Sequence, residues 1–161
     1  MRLRVLPVVA LVPMFLVLTG CSPAIRGLVG ITLSDAGTPV ALLAPCEGTV
    51  DGIKLYEIDP ESSYRDDIKR WDFEAGSAPD EFDFLESVPQ VDPVARFELV
   101  AWAWHPSWPN PVLKNLDGVW FDSADLARLD PGQVLYRDPD SFKDSITSDR
   151  AEFETTACPP E

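Results

Sequence analysis

The chain has 161 residues, with 27 acidic against 13 basic side chains, a formal charge of −14 and one histidine. So acidic a surface repels phosphate backbones and argues against a nucleic-acid partner. The length suits one domain with a real core and is short for two.

The first stretch with a clear meaning is N-terminal. Met1-Arg2-Leu3-Arg4 is basic, Val5 to Leu18 is apolar, and small residues follow at Thr19 and Gly20 before Cys21. These are the three parts of a secretory signal. Leu18-Thr19-Gly20-Cys21 resembles the lipobox of bacterial lipoproteins. The resemblance implies cleavage before Cys21, a diacylglycerol thioether on its sulfur and acylation of the new amine. It also implies a cell-membrane location on the extracytoplasmic face, with the bilayer itself as a partner. Two or more acyl chains give stable anchoring, at roughly 0.8 kcal/mol per buried methylene. Three alternatives compete: a transmembrane helix, an ordinary signal peptide and a cytosolic core helix. The first needs about 20 apolar residues and is interrupted by Pro7 and Pro13. The last sits badly with the Arg pair and with the change of composition after Cys21.

Residues 1–20 then form the signal, 21–27 a short lipid-anchored tether, and 28–161 a single β-rich domain. Without the signal the chain carries 11 basic and 27 acidic side chains, a charge of −16. Two cysteines remain, Cys46 and Cys158, and an even pair in an exported chain reads as a disulfide.

Leu28–Leu33 and Pro39–Ala44 are apolar runs joined by Ser34-Asp35-Ala36-Gly37-Thr38, the pattern of a β-hairpin. Thr49–Ile58 reads as a third strand with a bulge at Gly52. From Glu57 to Pro93 there are 12 acids against three bases. Ile68–Glu74 alternates as a strand within that stretch, while Glu81–Glu86 fits either a strand or a helical turn. Val94–Trp104 is the strongest strand signal. It sets Phe97, Leu99, Ala101 and Ala103 on one face, and Arg96, Glu98, Val100, Trp102 and Trp104 on the other. The loop His105-Pro106-Ser107-Trp108-Pro109-Asn110-Pro111 follows. Gly118–Phe121 is another strand, and Asp122 or Ser123 caps a short helix through Leu129, with Leu126 and Leu129 turned inward. Gln133–Arg137 is a strand, a helical turn runs to Ile146, and Ala151–Thr156 is a last strand. Short strands with turn chemistry between them argue an all-β fold, an antiparallel β-sandwich or barrel with one or two helical turns.

Trp102, Trp104, Trp108 and Trp120 are the aromatics to weigh. On a solvent-facing sheet they stack on sugars or anchor a protein partner; at alternate strand positions they more often pack in the core. Core packing is expected of Trp102 and Trp104, and Trp108 is expected near the surface. Trp104, His105 and Trp108 are the candidate binding residues. No catalytic residue, metal ligand or cofactor site is read: Gly-x-Ser-x-Gly is absent, and one histidine does not make a zinc cluster. The acidic pairs Asp66-Asp67, Asp80-Glu81-Asp83 and Asp138-Asp140 leave a carboxylate hydrolase acting on a glycan as the rival. The expectation is a non-enzymatic envelope module that binds an envelope protein or glycan, or serves structurally.

Overall fold

A computed structural model describes residues 27–46, 48–59, 65–74, 77–85, 95–104, 113–141 and 144–159. Within them lie two five-stranded antiparallel sheets and two short helices. The first sheet has the order β10-β9-β1-β2-β5, formed by β1 (Gly27–Leu33), β2 (Pro39–Pro45), β5 (Glu81–Phe82), β9 (Gln133–Arg137) and β10 (Ser145–Asp149). The second has the order β4-β3-β6-β7, with β8 also paired to β6. Its strands are β3 (Gly52–Ile58), β4 (Arg65–Asp72), β6 (Arg96–Trp104), β7 (Leu113–Asn115) and β8 (Val119–Phe121). The all-β sandwich-like reading holds.

The β1–β2 hairpin forms where the turn residues stand. Ser34 N–H donates to the Thr38 carbonyl at 2.9 Å, and Gly37 takes φ +76, a left-handed conformation that favours glycine. One face of each sheet supplies the main core: Val29, Ile31, Ala41 and Leu43 from the first meet Ile53, Leu55, Phe97, Leu99 and Ala101 from the second. Phe97 stacks on Phe121, which meets Phe84 edge-on. At one open side Phe82 of β5 takes Trp71 and Phe73 edge-on, each at 5.3 Å, joining the edges of the two sheets. At the other, Asp117 joins them through its backbone: its carbonyl accepts Val29 N–H and its N–H reaches the Gly27 carbonyl.

Helix α1 (Ser123–Ala127) carries the expected cap. Asp122 accepts the N–H groups of Ala124 and Asp125, and Asp125 answers with the Asp122 N–H, a closed capping box. Leu129 is buried and Leu126 packs against the core.

Three local expectations are corrected. Residues 151–156 are not a strand; they lie in helix α2 (Arg150–Ala157), whose N-cap Asp149 accepts the Glu152 N–H at 2.9 Å. Phe153 and Ala157, four apart on that helix, bury against Leu28, Leu42, Val134 and Tyr136 on the outer face of the first sheet. Ser145 and Ile146, expected to end a helical turn, lie in a strand instead: Ser145–Asp149 pairs residue by residue with β9, and residues 142 and 143 lie outside the described residues. The bulge lies in β4, where Ile68 is the extra residue opposite the Leu55–Tyr56 step, and Gly52 keeps regular register.

Cys46 and Cys158 are joined, tying the end of β2 to the C-cap of α2 across 112 positions. Helix α2 is thus held at its start by its cap, along its length by Phe153 and at its end by a covalent bond.

Candidate functional site

The first sheet has both faces covered; among the described residues no helix or further layer lies over the outer face of the second. On that open face the pairing registers set side chains in rungs. The first rung runs Asp72, Gly52, Trp102, Asn115; the second Arg70, Lys54, Val100; the third Asp67, Tyr56, Glu98, Trp120; the fourth Arg65, Ile58, Arg96. Alternation on β6 produces this. Phe97, Leu99 and Ala101 go inward, so Arg96, Glu98, Val100 and Trp102 go outward. The expectation of core packing for Trp102 is therefore overturned: it lies half-buried on the solvent side. The alternation was legible, and the side taken by the core is set by β3 and β8, which pair through Ile53, Leu55, Val119 and Phe121.

Among the described residues the outward rings of Tyr56, Trp102 and Trp120 each have a cation over them. Arg70 lies 4.7 Å from the Trp102 ring centre, Lys54 4.8 Å and Arg65 5.8 Å from that of Tyr56, and Arg96 5.2 Å and Arg137 5.7 Å from that of Trp120. Below Trp102 is Gly52, its cross-strand partner. A Cβ built on Gly52 would sit 2.1 Å from the indole, so the missing side chain makes the seat for the ring.

Acids hold the cations in turn. Lys54 donates to Asp67 at 2.7 Å, Arg70 to Asp72 at 2.7 Å, and Arg137 pairs with Asp117. Arg65 reaches Glu98 at 3.0 Å. The hydrogen bond to Asp67 raises the Lys54 ammonium above its ordinary range, and the bond to Asp72 does the same for the Arg70 guanidinium. Glu98 is only 2% exposed, an acid enclosed on a solvent-facing strand between Tyr56 and Trp120. In an acidic chain this face gathers Lys54, Arg65, Arg70, Arg96 and Arg137 beside four of their acidic partners. It is close to charge-neutral.

The chemistry follows from that geometry. A sugar needs an uncovered ring to stack on, and the rings of Tyr56, Trp102 and Trp120 already carry cations. What the face offers is a fixed lattice of N–H donors and carboxylate acceptors, suited to hydrogen bonding across a surface. In each carboxylate group of the hydrolase rival at least one member is bonded to a neighbour. Asp67 goes to Lys54, Glu81 to Arg150 at 2.9 Å, and Asp83 accepts the Leu85 N–H. Asp138 accepts the Asp140 N–H in its own turn. Among the described residues no group of three or more His, Cys, Asp or Glu side chains is placed to hold a metal ion.

Cys21, His105 and Trp108 lie outside the described residues. Trp104 is placed by its backbone at the end of β6, opposite Leu113. The cysteines expected to pair do so. Sequence reasoning missed Tyr56, Arg70, Arg96 and Arg137 as members of one surface, because four different strands bring them together. No family model matches the chain, and neither the curated proteins nor the solved structures hold a significant match to it.

Proposed function

We propose that this protein is a lipoprotein of the cell envelope, anchored through acylated Cys21 on the extracytoplasmic face of the membrane. There it acts as a non-enzymatic binding or structural module, with the open face of the second sheet as its working surface. The observation that carries this reading is the contrast between the sheets. Helix α2 and a disulfide seal one outer face, while the other stays open and is paved with fixed, mutually paired polar groups. The partner that suits such a lattice is another polar surface, an envelope protein or a glycan bound by its hydroxyls.

The tether supports the envelope role. Only Ser22 to Arg26 separate Cys21 from β1, a reach of about 20 Å when fully extended, which keeps the domain beside the bilayer. Mass spectrometry of the membrane fraction tests the anchor; an unmodified chain that does not begin at Cys21 rejects it. Recovery of partners from envelope extract tests the face, comparing wild type with the double change Arg70→Ala, Arg96→Ala and, separately, with Trp108→Ala. Selective loss with the double change supports the open face, and loss only with Trp108→Ala moves the working surface to the 105–112 segment. Unchanged recovery in both leaves neither as a binding surface.

A further inference from the structure

Among the described residues five strands have an unpaired side, and four of them are protected. An unpaired edge invites another strand unless it is short, charged, bulged or broken by proline. β4 has six charged residues in eight and carries the Ile68 bulge. β5 is two residues long, and β7 and β8 are three each. β10 has none of these guards. It is a regular five-residue strand, Ser145-Ile146-Thr147-Ser148-Asp149, with one charge, at its last position. Ile146 is 38% exposed, an exposed large hydrophobic beside Tyr136 in register.

We infer that β10 pairs antiparallel with β10 of a second copy of this chain, joining two five-stranded sheets into one of ten across a two-fold axis at Thr147. A strand that pairs with itself about its central residue keeps all five positions matched. Thr147 then faces Thr147 of the other copy, Ile146 faces Ser148, and Ser145 faces Asp149. The two Ile146 side chains become diagonal neighbours on one face, about 7–8 Å apart at the backbone and within mutual reach. A second copy is favoured over an unrelated strand because register and apolar contact are both satisfied by the same five residues. So short a seam buries less than the roughly 1,200 Å² of a stable interface, and acidic protomers repel each other. The association is therefore reversible and is best read by trapping.

The trap is Thr147→Cys in the full chain, oxidised in intact cells. Antiparallel partners stand about 4.5–5.5 Å apart at Cα, inside the span a disulfide bridges. A covalent dimer at twice the chain mass is expected, about tenfold above the yield from Asp35→Cys in the exposed β1–β2 turn, because paired strands hold the thiols at high effective concentration. Wild type provides the background from native thiols. Adding Ile146→Lys, which guards the edge without touching the core, is expected to return the yield to the Asp35→Cys level. Equal yields at positions 147 and 35 overturn the pairing, as does a cross-link at 147 to a protein of different mass. The proposal does not rest on the lipid anchor, since the same comparison holds wherever the chain resides.

Discussion

The two outer faces of this sandwich are finished by opposite means. On the first sheet Leu28, Leu42, Val134 and Tyr136 are apolar and are covered by Phe153 and Ala157 from α2, with Cys46–Cys158 closing the far end. On the second, Tyr56, Trp102 and Trp120 are covered by cations from the sheet itself, joined over Trp120 by Arg137 of β9. Removing water from apolar area stabilises by about 25 cal/mol per Å², whereas a solvent-exposed ion pair contributes roughly 0–1 kcal/mol. Stability therefore resides on the helix side. The open side can change its polar groups at low cost to the fold, which is what a surface facing partners requires.

If that division holds, the largest losses come from the sealed face. Replacing Cys46 and Cys158 by serine frees a loop spanning 112 positions, and the expected loss is on the order of 4–5 kcal/mol on the chain-entropy model, read as a lower urea midpoint. Phe153→Ala empties the space between α2 and Tyr136, whose ring lies 5.3 Å away, and is expected to cost about 3–5 kcal/mol by the same measurement. If either change is as mild as a substitution on the open face, the division fails.

The sealed face also shows where sequence was a good guide and where it was not. The hairpin turn around Gly37, the Asp122 cap, strand β9 and the cysteine pair all rest on residues close in sequence or on a count of two. Residues 151–156 misled because Phe153, Thr155 and Thr156 are strand-favouring types in rough alternation. Asp149 with Glu152 three positions later was the competing signal for a helix start, and the fold follows it because Phe153 and Ala157 then share one buried side. The open face was half legible. Alternation on β6 separated Phe97, Leu99 and Ala101 from Arg96, Glu98 and Trp102, but it could not name the covered side. Nor could it bring Tyr56, Arg70 and Trp120 alongside, since pairing between distant strands leaves no local pattern.

Gly52 sharpens the comparison, because it is where the open face is most closely fitted. Gly52→Ala drives a methyl into the Trp102 indole and is expected to cost about 1–3 kcal/mol. In a Trp102→Ala background the same change is expected to be nearly neutral, so a double-mutant cycle should return most of the loss as coupling between the two positions. Additive losses would mean that the glycine is needed for its backbone rather than as the seat of the ring.

The smallest effect is expected at Lys54 and Asp67, and its sign with pH is definite. The lysine is partly covered and the aspartate mostly exposed, so solvent screening leaves Lys54→Met a loss of a few tenths of a kcal/mol at neutral pH. The bond to Asp67 raises the folded-state pKa of Lys54 above its ordinary 10.5. The unfolded chain therefore releases this proton first as pH rises. The contribution is fully present below pH 10.5 and is lost as pH climbs through the folded-state value. Urea midpoints of wild type and Lys54→Met should accordingly differ slightly at pH 7 and converge in strongly alkaline buffer. A loss at pH 7 as large as that of Phe153→Ala would mean that the lattice on the open face bears as much of the fold as the helix does, and the division between a sealed, stabilising side and an adaptable one would have to be abandoned.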